Sequence, residues 1–193
     1  LLLQGDYIDL DPGAGTIKIN PLTLAQDEMG KSWLIGWLDR LFAHRGARLT
    51  DAEIVEVSKA VDRVVDVPGA RLSSLSTQLP ESLRLRLMPW CEGGAWGQYF
   101  DNSEDTFEIT RLMSVEVGGL INAGLTEVVT AFTEYAFYRI ERALNNRKSD
   151  EIGPTMVYFE EAGFLLDDEI FASRARDYLM TLAKKKAFLV MTA

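Results

Sequence analysis

The fold is decided by the stretch Thr155-Met156-Val157-Tyr158-Phe159-Glu160-Glu161. Pro154 precedes it, and Ala162-Gly163 follows it. A short apolar run that is rich in aromatic and β-branched residues and bounded by turn residues predicts a buried strand. Continuous apolar strands are typical of parallel sheets that are covered on both faces. We therefore expect a parallel strand here, with two adjacent carboxylates at its carboxyl end.

The two carboxylates, Glu160 and Glu161, suit an ATPase. Ligands of parallel sheets bind at the carboxyl ends of the strands. In a Walker B element, one carboxylate at that position holds Mg²⁺ through water, and the next orients the attacking water. The alternative is a strand that runs out into two solvated glutamates at a turn. The strand alone leaves both interpretations open.

The elements around this strand predict an α/β fold. An apolar helix from about Thr126 to Asn145 precedes the strand, a helix over about 168–184 follows it, and a last strand covers 187–191. Helices and strands that alternate in this way are typical of βαβ units. At the start of the chain, Tyr7 to Asn20 resembles β structure around a turn at residues 11–15.

Two shorter segments, 107–109 and 113–117, are also β-like. From Pro21 to about Phe100 the hydrophobic period is instead helical. The helical signals are an apolar stripe from Trp33 to Phe42, a capping box at Thr50-Asp51-Ala52-Glu53 and a helix start at Pro80. We expect an all-helical subdomain over 21–100, inserted into a core made of residues 1–20 and 101–193.

Composition limits the kind of site. The chain has 193 residues, 47% of them hydrophobic, and a net charge of −9, which argues against a surface built to wrap nucleic acid. The single Cys91 excludes an internal disulfide and a multi-cysteine zinc site, and the single His44 excludes a histidine-based metal cluster within this chain. A metal site must then use oxygen ligands, as Mg²⁺ does. No apolar run reaches the roughly 20 residues that span a bilayer.

Gly30-Lys31-Ser32 resembles the end of a phosphate-binding loop. The full motif needs a glycine five positions before the Gly-Lys pair and a strand leading into it, because backbone N–H groups must curl around phosphate. Ala25 occupies that position, and the preceding residues are not strand-like. We interpret the tripeptide as a helix start. Both ends of the chain look cut. If the chain is part of an ATPase, we expect its phosphate loop upstream of Leu1 and no ATP hydrolysis by residues 1–193 alone.

Other polar residues have structural alternatives. Lys184-Lys185-Lys186 either complements a helix dipole or reaches phosphate on a neighbouring copy. Asp9 and Asp11 either contact a ligand or belong to a Pro-Gly turn. Arg174 and Arg176 are candidates for a trans-acting arginine finger, with solvated helix positions as the alternative.

An ordered set of motifs resembles one family. The motifs are Tyr7–Gly13, Ile19–Leu22, Phe100–Asn102, Tyr135–Ile140, Phe159–Ala162 and Thr181–Lys186. In this order, along essentially the whole chain, they resemble the large ATPase of type IV secretion and conjugative transfer systems, the VirB/TrbE/CagE class. This sequence departs from the usual pattern at Glu160, where Asp is frequent, at Gly163, where Trp is usual, and at Ala183, where Arg is common.

The resemblance implies a RecA-like P-loop NTPase core with a mostly parallel sheet, which hydrolyses ATP with Mg²⁺ to drive pilus assembly and substrate transfer. It implies that Glu160 is the metal-side acid, that Glu161 is the catalytic acid that positions water, and that Lys184 and Lys185 form a cofactor-binding motif. It also implies a homo-hexamer that works with other type IV secretion subunits, in the cytoplasm and peripherally associated with the inner membrane.

Two other functions stay open from the sequence. The first is a DNA-translocating P-loop motor of the coupling-protein type, which the acidic balance disfavours; direct nucleic-acid binding is left open. The second is a non-catalytic interaction module whose helical block over 21–100 docks partner subunits.

Overall fold

The computed structural model describes residues 5–11, 17–43, 46–147, 154–160, 163, 182 and 184–192. The chain divides into two compact units, Leu1–Tyr135 and Ala136–Ala193. This division does not test the expected helical insertion over 21–100, which stays a prediction.

Helices dominate the first unit. They are α1 (Glu28–Ala43), α2 (Asp51–Val64), α3 (Leu72–Ser76), α4 (Glu81–Leu87), α5 (Gly97–Phe100), α6 (Gly118–Asn122) and α7 (Thr126–Asn145), with short 3-10 helices at Pro21–Leu24 and Met88–Trp90. The unit boundary falls within α7, whose bounds are those predicted. The sequence did not predict α3, α5 and α6, because helices of four or five residues are too short to show a period.

The predicted capping box begins α2. The Thr50 hydroxyl accepts a hydrogen bond from the Glu53 backbone N–H at 3.3 Å, and the Glu53 carboxylate accepts one from the Thr50 N–H at 2.8 Å. The helix buries Val57, Ala60, Val61 and Val64. Ile54, three residues before Val57, is 36% exposed.

The strands of the first unit correct the prediction for residues 7–20. β1 (Asp6–Asp9) pairs in parallel with β2 (Met113–Glu116), in a register that joins Asp9 to Glu116. Residues 17–20 form no strand. Instead, Thr106 donates a backbone hydrogen bond to the Lys18 carbonyl at 2.8 Å. The prediction of β structure is confirmed at residues 7–9 and wrong at residues 17–20, because alternation in one segment does not reveal which distant segment completes its ladder.

Residues 107–109, also predicted as β-like, form no strand either. Phe107 is only 1% exposed, and its ring contacts those of Phe132 and Tyr135 edge-on at centroid distances of 5.6 and 5.5 Å. The aromatic residue that resembled part of a strand is therefore a core residue packed against α7.

An aromatic cluster joins α1 to α7 within the first unit. The Trp37 indole N–H donates to the Ala131 carbonyl at 3.0 Å, and its ring lies 5.5 Å from that of Phe100. Trp90 extends the cluster at 5.7 Å from Phe100. Trp37 and Trp90 are fully buried, so both are core residues, and Trp37 belongs to the apolar stripe that the sequence predicted.

The second unit contains β3 (Thr155–Phe159) and β4 (Ala187–Met191), which pair in parallel from Thr155↔Ala187 to Phe159↔Met191. The bounds of both strands are as predicted. The helix expected over 168–184 falls almost entirely on residues outside the described ranges.

One face of this small sheet is open, contrary to the expectation of a strand that is covered on both sides. Met156, Tyr158 and Phe188 are 59%, 51% and 46% exposed. Met156 and Phe188 are register partners, and Tyr158 lies two residues beyond Met156, so the three side chains share one face.

Candidate functional site

The candidate site lies at the carboxyl edge of the β3–β4 pair. Glu160 is the first residue beyond β3, and it is exposed. Because Phe159 pairs with Met191, Thr192 is the first residue beyond β4 at the same edge. Carboxyl ends of neighbouring parallel strands are where ligands bind. Glu161, the predicted catalytic residue, lies outside the described residues.

The two predicted cofactor-binding lysines lie at the opposite edge. Lys184 and Lys185 precede β4, whose first residue pairs with the first residue of β3. The two edges are roughly 13 Å apart, at about 3.3 Å of rise per residue. The structure therefore does not bring these lysines together with Glu160.

Lys185 has a local partner at that edge. Its Nζ donates a hydrogen bond to Glu141 Oε1 on α7 at 3.0 Å, and both side chains are partly exposed. Lys186 has a φ of 54°, and its carbonyl accepts a hydrogen bond from the Thr155 N–H at 3.0 Å. Arg147 Nη2 donates to Thr155 Oγ1 at 2.6 Å. These contacts fix where the two strands begin.

Sequence reasoning missed Glu141 and Arg147 as parts of this edge. Glu141 is 44 positions from Lys185 along the chain. No local pattern connects residues at that separation, and only the fold brings them together.

Among the described residues, Glu160 is the carboxylate at the carboxyl edge of this sheet. No group of three or more histidine, cysteine, aspartate or glutamate side chains that could hold a metal occurs within the described ranges. Mg²⁺ does not need such a cage, because it keeps several waters and is commonly held by one or two carboxylates and substrate phosphates. Exposed at the end of β3, Glu160 fits that limited role.

The tripeptide Gly30-Lys31-Ser32 belongs to α1, which confirms its interpretation as a helix start. The Gly30 N–H donates to Asp27 Oδ1 at 2.7 Å, and Lys31 Nζ donates to Asp62 Oδ1 at 2.9 Å. A Cβ atom at Gly30 would lie 1.9 Å from the Leu24 carbonyl oxygen. The glycine therefore permits a close backbone contact, and the lysine belongs to an ion pair.

The remaining polar residues singled out in the sequence fall into two groups: those that the structure describes and those outside the described residues. The Asp11 N–H donates to Asp9 Oδ1 at 2.8 Å, a turn contact that supports the structural interpretation of these aspartates. His44, Arg174 and Arg176 lie outside the described residues. None of the helices in the described part of the chain combines the length and the apolar character needed to cross a membrane.

Comparisons with known proteins find similar proteins of conjugal transfer and type IV secretion. No protein-family model matches the chain. The chain is 25% identical over 197 residues to a probable conjugal transfer protein TrbE of Sinorhizobium fredii, covering 99% of this chain and 28% of that protein. It is also 25% identical to the type IV secretion system protein virB4 of Bartonella henselae, covering 96% of this chain and 24% of that protein.

A solved structure shares the fold. VirB4 of Thermoanaerobacter pseudethanolicus superposes with a TM-score of 0.67 at 21% identity, over 97% of this chain and 56% of that one. The chain spans about a quarter of the length of the curated relatives named above, at 28% and 24%. The resemblance found in the sequence motifs is thus confirmed: along nearly its whole length, this chain is homologous to the TrbE and VirB4 proteins.

Proposed function

We propose that the intact protein is an ATPase that energises type IV secretion or conjugal transfer. One observation carries the proposal. A strand that ends in two adjacent carboxylates pairs in parallel with its neighbour, in a chain that resembles TrbE and VirB4 from end to end. This is the arrangement that a Walker B element requires.

In this proposal each carboxylate has its own task. Glu160 would hold Mg²⁺, which would neutralise charge that develops on the nucleotide phosphates. Glu161 would accept a hydrogen bond from the attacking water, orienting it toward the γ-phosphoryl group. No segment of these 193 residues matches the full phosphate-binding motif, so the proposed ATPase would need this loop elsewhere in the intact protein.

The open face of the second unit supports a larger, RecA-like core. A two-stranded parallel sheet with Met156, Tyr158 and Phe188 exposed is unusual, since parallel sheets are normally covered on both faces. Further core elements of the intact protein would cover these side chains.

Lys184 and Lys185 fit the proposal only in a restricted way. Because they lie at the edge opposite Glu160, any contact of theirs with nucleotide would be made with phosphate bound by a neighbouring copy. The proposal also includes a homo-hexamer that works with other type IV secretion subunits at the cytoplasmic face of the inner membrane.

The test is ATP turnover by the full-length protein. Glu161→Gln keeps the size of the side chain but removes the carboxylate that orients water, and such losses cost about two to three orders of magnitude in rate. We expect kcat to fall by that amount while ATP still binds. The control is Glu108→Gln, which changes the same charge at an exposed position in the first unit and should leave kcat unaltered. Unchanged turnover in Glu161→Gln would refute the proposal.

A further inference from the structure

A cavity of about 300 Å³ lies in the first unit, between the chain that leads into α1 and the turn that follows α2. Asn20, Thr23 and Gln26 line one side, and residues 65–70 line the other, together with Ser103. This volume is at the lower end of the range for small-ligand sites. The proposed hydrolysis mechanism uses none of these residues.

The shape of the cavity is fixed by its own hydrogen bonds. Asn20 is 1% exposed; its Nδ2 donates to the Ala70 carbonyl at 2.8 Å, and its Oδ1 accepts from the Leu22 N–H at 3.1 Å. One buried amide thus joins the two walls. Gly69 has a φ of +71°, a conformation that glycine adopts without strain. The walls are therefore held in place without help from a ligand.

The lining is negative. Among the described residues that line the cavity, only Asp66 is ionisable, and none is basic. Helix α2 ends at Val64, so the carbonyl end of its dipole adjoins the same turn. Outside the lining, Lys31 Nζ lies 2.9 Å from Asp62 and 4.0 Å from Glu28, and it also attracts the Asp66 carboxylate. Three carboxylates thus share this one ammonium group, so the local charge stays negative.

The lining also has an apolar part. Val67 and Pro68 lie beside Asp66, and Leu22 lies across from them in the other wall. A ligand with an aliphatic chain that ends in a cation would fit this lining. The chain would pack on the apolar residues, and the cation would lie near the Asp66 carboxylate and the carbonyl end of α2. We propose that the cavity binds a guanidinium or ammonium group, carried by a basic side chain of another protein or by a small organic cation.

Saturation-transfer NMR on the full-length protein tests this with matched probes. N-acetyl-arginine amide should bind saturably, and N-acetyl-citrulline amide, which has the same shape without the charge, should bind at least tenfold more weakly. Asp66→Asn should weaken arginine amide by about two- to fivefold, the effect of losing a partly exposed ion pair. Asp51→Asn removes the same charge at the other end of α2 and should leave the affinity for arginine amide unchanged.

A third probe identifies the source of the group. Ethylguanidinium carries the charged head alone, so tighter binding of arginine amide indicates a side chain in a polypeptide, and equal binding indicates a small cation. Equal binding of arginine and citrulline amides, or undiminished arginine binding in an Asp66→Asn variant with an unchanged melting temperature, would overturn the proposal.

Discussion

Lys185 and Glu141 form an ion pair, 3.0 Å between Nζ and Oε1, at the edge of the β3–β4 sheet where both strands begin. Glu160 follows β3 at the other edge. The pair joins α7 to the entry of β4 inside the second unit, so Lys185 has a structural task that is separate from the carboxylate site.

This relationship predicts that Lys185→Gln and Glu141→Gln behave alike. Each removes the same partly exposed pair, and each should lower the free energy of unfolding by about 0.5 kcal/mol. Urea unfolding and ATP turnover of the full-length protein check this, with turnover expected to stay within about twofold of the wild type in both variants. If Lys185→Gln lost at least tenfold more turnover than Glu141→Gln, Lys185 would contact nucleotide, as the resemblance implies.

Gly30 should tolerate no side chain. A Cβ atom there would approach the Leu24 carbonyl oxygen to 1.9 Å, so the backbone of α1 or of the preceding 3-10 helix must move. We expect Gly30→Ala to lower the free energy of unfolding by about 2 kcal/mol, as overpacking does. ATP affinity of the folded protein should not change, because Gly30 belongs to a helix and not to a phosphate loop.

Gly36 is the matched control in the same helix. A Cβ atom there would meet only Arg40 Nη1, at an ordinary contact distance of 3.7 Å. Gly36→Ala should therefore stabilise the protein by about 0.5 to 1 kcal/mol, since alanine is the better helix former. A neutral Gly30→Ala, or one that abolishes ATP binding without destabilising the fold, would contradict the assignment of Gly30 to packing.

Local signals predicted local structure well. The bounds of α7, β3 and β4, and the capping box of α2, were set by contiguous residues whose propensity, period and caps agree. The pairing of β1 with β2 was not predictable, because Asp6 and Met113 are joined by tertiary folding alone. At the candidate site, the sequence predicted that Glu160 follows one strand and that Lys185 precedes another, and the parallel register places the two residues at opposite edges.

The ion pair between Arg40 and Glu134 should be costly to break. It joins α1 to α7, and its side chains are only 11% and 6% exposed. Arg40→Met leaves a carboxylate buried without its main countercharge, and we expect a loss of about 3 kcal/mol in the free energy of unfolding. The double variant Arg40→Met/Glu134→Met buries no charge and should recover most of that loss. Denaturant unfolding of the wild type, Arg40→Met, Glu134→Met and the double variant measures the coupling; additive effects of the two single substitutions would contradict it.

Cys91 should resist alkylation. Burial, with the nearby Asp101 carboxylate as the second cause, raises the pKa of its thiol from 9.0 to about 11. At pH 8 the thiolate fraction is then about a hundredfold below that of an unfolded cysteine, and the thiolate is the species that reacts. Peptide mass spectrometry after a short iodoacetamide pulse measures the rate at Cys91, with the urea-unfolded protein as the reference. Equal rates in the two states would contradict the burial of this thiol.

Because of the same shift in the pKa of Cys91, the free energy of unfolding depends on pH, and the direction of the change follows from the shift. Below pH 9 the thiol is protonated in both the folded and unfolded states, so it contributes no slope. Between about pH 9 and 11 the unfolded chain has released the proton while the folded chain still holds it, so the free energy of unfolding falls as the pH rises. Cys91→Ala removes this group and should flatten the decline in urea-unfolding experiments across that window. An identical decline in the variant would show that other groups cause it.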